Sequence, residues 1–547
     1  MYQKVVLFFI GLSLIFCSAF SSEFSVVPTL YKGRIRPFST YAHAWLNDIA
    51  GNSVDINAEE FLWNLYLFGY TPYEKMPLFL IASKPIKELL SLNLEENHFS
   101  YKEIKHAKTI DDKNLNHLKE KIYLFTAFGN GVLNQNKQMN QASFSLTEEL
   151  LDSDTFLLLP LKVRKEEWIS LSSLAKTVGK KNLISNFTPY TDAAFKNLQE
   201  AYLSLEKMQR PTPEMASSLL NAYQEIAGSV YTRAEGKALY YPTLFQLQIE
   251  HFTYLLPFTE TALFFYILAI IALLFFLEKK IGLGLFLAAF SINTCYLVLR
   301  CIVLERPPVT NMFESVIYVP FIASFVALIL YRIFKNRMIL LAASTTSCIL
   351  LLIVYFTHID KGLENVQAVL DSGYWLVIHV LMVVGSYALF ILAGVLAHFY
   401  LGIFFLKNKE SKILSTLILQ CMYVGIALLI SGTILGGIWA AESWGRFWDW
   451  DPKESWAFIS SCIYLLWIHA YRFKIIKSFG LAMGAILGLL AISFTWYGVN
   501  YVLGTGLHSY GFGSGGEVYY YLFLGIEALF LSTILISYKF NPFLIRK

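Results

Sequence analysis

From Phe258 to the C-terminus the sequence is a succession of apolar runs, each about as long as a bilayer is thick. No other feature limits the fold so strongly. The runs lie near 258–277, 281–303, 312–334, 338–357, 373–405, 414–440, 453–472, 478–500 and 517–538, separated by short polar connections. A hydrocarbon core takes roughly 20 helical residues to cross, and a helix satisfies its own backbone groups there. The whole chain is 56% hydrophobic and 15% charged, more apolar than a soluble protein of 547 residues can bury. The expected fold class is an all-α polytopic membrane protein with about nine transmembrane helices.

What precedes Phe258 reads differently. Residues 1–22 have the layout of a signal peptide or N-terminal anchor: Lys4, an apolar run from Val5 to Phe16, then small residues in "CSAFSS". Residues 23–256 are polar enough to fold in water. "NAEEFLWNLYLFG", "SLTEELLDS", "YTDAAFKNLQEAYLSLEKMQ" and "PEMASSLLNAYQEIAGSVY" show cap-like starts followed by helical apolar spacing. They predict a mostly helical extracytoplasmic domain. His43, His98, His106, His117 and His251 are scattered through it and read as surface or core histidines. The domains are thus 1–22, 23–256 and a membrane domain over 257–547.

The loops orient the chain. With the polar domain outside, the inner connections "EKK", "YRIFKNR", "KNKESK", "YRFKIIK" and the tail "YKFNPFLIRK" carry fourteen Lys or Arg. The outer ends carry five: Arg300, Arg306, Lys361, Arg446 and Lys453. The excess of positive charge on one side predicts that 23–256 and the 439–452 stretch lie outside.

Several function classes lack support. The net charge of +4 is small and scattered, which argues against nucleic acid. There is no P-loop, dinucleotide-binding glycine pattern or metalloprotease helix. Cys17 and the five later cysteines all lie in apolar segments, so the polar domain is not stapled by disulfides, and no Cys-x-x-Cys-His occurs.

The chemistry-bearing stretch is "WAAESWGRFWDWDPKESW", residues 439–456, which holds five of the eleven tryptophans among six charges. A belt of interfacial aromatics needs one or two rings per helix end and does not call for this alternation with charges. His379, in "GYWLVIHVLMVVGSY", falls near the outer end of the fifth run, and His508, in "GTGLHSYGFGSGG", in the outer connection after the eighth. His469 lies fourteen residues beyond Ser455, roughly 21 Å along one helix, so it cannot share a ligand atom with the outer pair. Ser455, Cys462 and His469 recur every seven residues, a stripe that suits a bundle interior. His358 and His398 have no partner pattern and read as structural. Two histidines, an aromatic shelf and nearby cations suit a flat, apolar, dianionic metal complex such as heme, with Arg446 or Lys453 meeting the propionates.

At these residues the chain resembles the tryptophan-rich, heme-handling membrane family of cytochrome c biogenesis, and within it the CcsA-type proteins of system II. "WGRFWDWDPKESW", "GTGLHSYGF" and "PPVTNMFES" carry the resemblance, with Phe313 where a Tyr is more usual. It covers roughly 258–540. It implies that ferrous heme b crosses the membrane, is held outside between His379 and His508, and is joined by thioether bonds to the Cys-x-x-Cys-His thiols of apocytochrome c. It implies that His469 is an intramembrane ligand on the way in, and that Trp439, Trp444, Trp448, Trp450 and Asp451 face the heme. It also implies a CcsB/ResB-type membrane subunit supplying the second intramembrane histidine, thiol-reducing proteins, and a place in the bacterial inner membrane. Three other readings stay open: a permease loading a separate heme chaperone, a secondary transporter of another solute, and an assembly scaffold that binds no heme.

Overall fold

The computed structural model describes residues 23–31, 34–51, 56–110, 112, 115–128, 157–160, 168–170, 200, 213–224, 227–228, 230–232, 238–275, 279–357, 363, 374–407, 409–503, 506 and 516–540. The chain divides into two compact units between Leu256 and Pro257.

In the first unit, strands β1 (Pro28–Tyr31) and β2 (Arg34–Pro37) pair antiparallel, and β1 also pairs with β5 (Leu157–Pro160), which pairs with β6 (Trp168–Ser170). Strands β3 (Pro77–Leu80) with β4 (His98–Ser100), and β7 (Val230–Thr232) with β8 (Ala238–Tyr240), make two further antiparallel pairs. The helices are α1 (Phe38–Ala50), α2 (Ala58–Phe68), α3 (Lys84–Leu89), α4 (Tyr101–Ile104), α5 (Asn116–Phe128), α6 (Pro213–Gln224) and α7 (Leu244–Leu255). Helix α2 starts where Asn57 accepts from Glu60 N, and α7 where Thr243 and Gln246 close a capping box. The apolar spacing thus finds α2 and α6. The helices expected from "SLTEELLDS" and "YTDAAFKNLQEAYLSLEKMQ", like residues 1–22, lie essentially outside the described residues. Among the described residues of this unit, helices hold more residues than strands. The short strands are additional, because three or four residues are too few to show a period of two.

The core gathers Phe38, Tyr41, Trp45, Phe61, Trp63 and Phe79 from α1, α2 and β3. Buried Glu250 of α7 receives Arg34 and Thr40, and Ser39 bonds His251 Nδ1 at 2.7 Å, which ties α7 to β2 and the start of α1. His98 Nε2 bonds Ala50 O at 2.9 Å. These histidines have structural partners, in line with the sequence reading.

In the second unit every apolar run of the sequence is a helix: α8 (Phe258–Leu274), α9 (Lys279–Leu304), α10 (Met312–Phe334), α11 (Arg337–Thr357), α12 (Leu381–Lys407), α13 (Lys412–Trp444), α14 (Pro452–Arg472), α15 (Ser478–Ser493) and α16 (Gly516–Phe540). Seven helices among the described residues are long and apolar enough to cross a membrane. The other two fall short for identifiable reasons. Helix α8 has seventeen residues, and Trp, Tyr, His and Ser dilute the apolar character of α14.

Packing uses glycines as notches, as close approach in a bilayer requires. Phe390 of α12 stacks on Tyr464 of α14 with centroids 3.7 Å apart. The Phe390 ring also lies over Gly425 of α13 and the Tyr464 ring over Gly488 of α15, where a Cβ would come to 2.8 and 2.5 Å. Two stretches are π-helical: Leu376–Val380, leading into α12, and Phe494–Leu503, continuing α15. Such geometry is rare and collects at functional sites.

Candidate functional site

The tryptophan-rich stretch is a helix–loop–helix connection. Helix α13 stops at Gly445, whose φ of +72° suits the left-handed terminating position and whose N–H donates to Ala441 O. Helix α14 begins at Asp451, followed by Pro452 at the first helical position. Asp451 Oδ1 accepts from Lys453 N at 2.9 Å, while Glu454 Oε2 accepts from Asp449 N and Asp451 N at 3.0 and 3.3 Å. Two of the six charges therefore build a helix start. Arg446 pairs with Asp449 at 2.6 Å in the loop between. Trp450 sits at φ +58°, uncommon for so bulky a residue, and is 72% exposed, at right angles to Trp448. Trp448 Nε1 is buried without a hydrogen-bond partner among the described residues.

His379 approaches this loop from the π-helical turn before α12. Its Nδ1 lies 2.7 Å from Gly432 O. A carbonyl only accepts, so Nδ1 donates, and a neutral imidazole then carries its lone pair on Nε2. The ring rests on Gly436, where a Cβ would stand 2.5 Å from Cε1 and 2.7 Å from Nδ1. Trp439 flanks it at 6.2 Å, and Trp444 follows Trp439 at 6.1 Å. Trp375, one turn earlier, donates to Glu442 at 2.6 Å. Gly436 is thus a notch on α13 that takes the imidazole, while Gly432, one turn earlier, lets Met382 and Val383 approach and offers its carbonyl to Nδ1.

The connection after the Phe494–Leu503 π-helix comes to the same end of the bundle. Gly506, at φ +103°, packs on Asp451 and Pro452: a Cβ there would stand 3.0 Å from Asp451 Cγ and 2.9 Å from Pro452 Cδ. The π-helix itself is braced from α10. Trp496 Nε1 donates to Ser315 Oγ at 3.1 Å, beside buried Glu314, which accepts from Arg300 at 3.0 Å, Arg306 at 3.4 Å and Thr310 N at 2.9 Å. "PPVTNMFES" is the stretch that makes this brace.

Comparison with known proteins bears on the same stretches. The Cytochrome C assembly protein family matches residues 309–508, from the start of the brace to His508. Protein NrfI of Wolinella succinogenes is 27% identical over 518 residues, 87% of this chain and 53% of NrfI, so the chain spans about half the length of that relative. Cytochrome c biogenesis protein CcsA of Prochlorococcus marinus is 32% identical in strain SARG over 39% of this chain and 79% of the relative. In strain MIT 9215 it is 31% identical over 46% of this chain and 92% of the relative. The chain belongs to the CcsA family of cytochrome c biogenesis proteins. With its apolar helices it is an integral membrane protein.

For this CcsA-family chain, the structure brings His379, Trp439 and Trp444 together. Asp451 is 7% exposed and caps α14. Lys453 lies in the first turn of α14, and Arg446 beside Asp449. His508 and His358 lie outside the described residues. The stripe of Ser455, Cys462 and His469 corrects the sequence expectation. Cys462 and His469 are exposed on the outward face of α14, whereas Ala457, Ser460, Ser461, Tyr464 and Ile468 fill the inward one. A seven-residue repeat fixes a common face but not which face is turned inward. His469 Nδ1 bonds Leu465 O at 2.7 Å, and its ring stacks near Phe473. His398, which shows no partner pattern in the sequence and reads as structural, meets Glu527 of α16 at 3.2 Å. Sequence reasoning passed over Gly432, Gly436, Gly506 and Glu527; an acidic residue in the middle of the last apolar run was the available signal for Glu527.

Proposed function

We propose that this chain carries ferrous heme b as a substrate across the bacterial inner membrane. It presents the heme on the outer face, between His379 and His508, for covalent attachment to apocytochrome c. The observation that carries this reading is the seat of His379. Nδ1 is turned to Gly432 O, the ring lies on Gly436, and Trp439 and Trp444 extend beside it. A ligating histidine characteristically donates its other ring nitrogen to such a carbonyl. Gly506 on Asp451 supports the second ligand, because His508 follows two residues later. Trp448, with its buried indole N–H, supplies apolar area and a donor for a ligand greasy on its faces and anionic at one edge. Arg446 and Lys453 are the cations for propionates.

In this reading residues 23–256 and the 439–452 loop are exported, all nine helices cross the membrane, and heme approaches through His469. The exposure of His469 supports a separate CcsB/ResB-type subunit that supplies the opposing histidine. Attachment adds each S–H of a Cys-x-x-Cys-His segment across a heme vinyl, so the sulfur bonds one carbon and the hydrogen the other. That addition is redox-neutral and needs free thiols, which thiol-reducing proteins maintain. The chain's own residues orient and shield, and no general acid or nucleophile is called for.

Glycine at 379 or 508 leaves a hole shaped for an imidazole. His379→Gly and His508→Gly each abolish cytochrome c maturation, and added imidazole partly restores it. Normal maturation by both variants, or a purified parent protein with no heme absorption spectrum, sinks the reading.

A further inference from the structure

Helix α16 is the least buried of the seven membrane-length helices. Of its most apolar window 22% is buried, against 39% or more in the others. Most of its surface, including Tyr519, Leu522, Ile526 and Leu529, is exposed. Lipid tails give two helices no hydrophobic reason to associate, so a helix like this depends on polar contacts and close fits. Among the described residues it has contacts of this kind at three levels. Tyr520 meets Ser493 at 3.3 Å, Tyr538 stacks on Phe479 at 4.4 Å, and Glu527 meets His398 of α12 at 3.2 Å.

The last contact differs in kind. Glu527 is the one Asp, Glu, His, Lys or Arg between Val518 and Tyr538 and is 8% exposed. His398 Nδ1 lies 2.8 Å from Gly394 O, so both ring nitrogens face oxygen, and the Phe530 ring covers the imidazole at 4.7 Å. The carbonyl accepts from Nδ1–H. The second contact then needs one further proton, either on Nε2 or on the Glu527 carboxyl. With that proton in place, each hydrogen bond has a donor and an acceptor, and the pair is neutral overall. Ionisable groups within a membrane are normally paired in this way.

Helix α16 begins at Gly516, immediately after the 507–515 stretch that contains His508, and the upstream side of that stretch is held by Gly506 on Asp451. The geometry points to the His398–Glu527 pair as a positioning latch: it docks α16 on α12 and so fixes the downstream end of the stretch that carries His508. The role assigned to the latch rests on the reading of His508 as an outer heme ligand, whereas the docking does not. The competing role for such a pair is a proton relay, which needs a carboxyl that titrates. A latch needs only the tie.

Glutamine separates the two, because its amide N–H can donate to a neutral Nε2 and preserve the bond without a titrating group. The experiment uses the full chain in lipid nanodiscs and four proteins: parent, His398→Ala, Glu527→Ala and Glu527→Gln. Hydrogen exchange of 516–540 is measured without heme, and the outer-site heme spectrum after heme addition. Both alanine variants exchange at least about tenfold faster in 516–540 than the parent, a local opening rather than global unfolding. They also lose the outer-site signal. Glu527→Gln keeps both within about twofold of the parent. Unchanged exchange in the alanine variants overturns the latch, as does a glutamine variant that behaves like alanine. Faster exchange with an intact outer-site spectrum overturns its link to His508, provided that His508→Gly loses that spectrum. If His508→Gly keeps it, the outer-site reading fails instead, and exchange still decides the docking.

Discussion

Gly506 lies directly on the helix cap made by Asp451, with φ +103° and no room for a side chain. Two parts of the sequence about fifty-five residues apart therefore meet backbone to carboxylate, and the stretch leading to His508 is anchored to the start of α14. Gly506→Ala meets both a backbone conformation that L-residues rarely adopt and a clash with Asp451. The expected cost is about 1–3 kcal/mol of local stability. Maturation should fall steeply, while heme that co-purifies at the deeper site stays. Parent-like maturation by Gly506→Ala refutes the anchor.

The imidazole slot gives a second prediction. Gly436→Ala puts a methyl group 2.5 Å from His379 Cε1, and the Gly432 carbonyl on Nδ1 leaves the ring little freedom to retreat. Outer-site heme affinity should drop by about tenfold, equivalent to ~1.4 kcal/mol. Gly402→Ala is the control. It lies on α12 with nothing within 4 Å of its Cβ, and alanine is the better helix former by about 1 kcal/mol. Heme titration of the two variants side by side checks this, and equal affinities would falsify the slot.

Asp451 was expected to face heme, and the structure adds a task that its sequence neighbours announce: Asp-Pro-x-Glu is a helix start. Asp451→Asn keeps a capping oxygen, so its thermal stability should match the parent, whereas Asp451→Ala should lose about 1 kcal/mol. If Asp451 also acts on heme through its charge, Asn will lower maturation without lowering the melting temperature. A melting loss for Asn as large as that for Ala removes the cap from the account.

These three sites mark what the sequence makes legible. Run length and polarity fix the helices of the second unit, since the bilayer sets both length and composition. The tryptophan-rich stretch and His379 stand out because aromatics and charges alternate where neither alone would. The glycines were not legible, because their meaning comes from what sits on them: the His379 ring on Gly436, Asp451 under Gly506. The direction of the His469 stripe was not legible either. Spacing on one helix cannot say where its neighbours stand; contacts such as Tyr464 on Phe390 and Gly488 show which face of α14 is inward.

The brace beneath the Phe494–Leu503 π-helix should be expensive to break. Glu314, fully buried, is shared by Arg300 and Arg306, and Arg300 also lies 4.9 Å over the Phe313 ring. Glu314→Ala takes the carboxylate from buried Arg300 and from partly buried Arg306, a loss of about 3–5 kcal/mol. Trp496, bonded to Ser315 next in sequence, should loosen with it. Low yield of folded protein and an altered environment for Trp496 by fluorescence are expected. A variant that purifies and melts like the parent contradicts the brace.

His469 separates the inner part of the proposed path from the outer part. It lies in the last turn of α14, exposed on the face that also carries Cys462 and Leu466. An exposed imidazole in a membrane helix is costly unless something meets it, and a neighbouring subunit is the occupant that the proposed path requires. Leu466→Cys, 64% exposed, should cross-link to a CcsB/ResB-type subunit when the two are co-expressed, whereas a cysteine in place of buried Tyr464 should not. His469→Gly should lower the amount of heme that co-purifies, because the way in is damaged. His379→Gly and His508→Gly should retain heme and lose only the outer-site spectrum. The two-position path is wrong if all three glycine variants hold the same heme with the same spectrum. The partner is unnecessary if this chain alone matures cytochrome c in a host that lacks any such system.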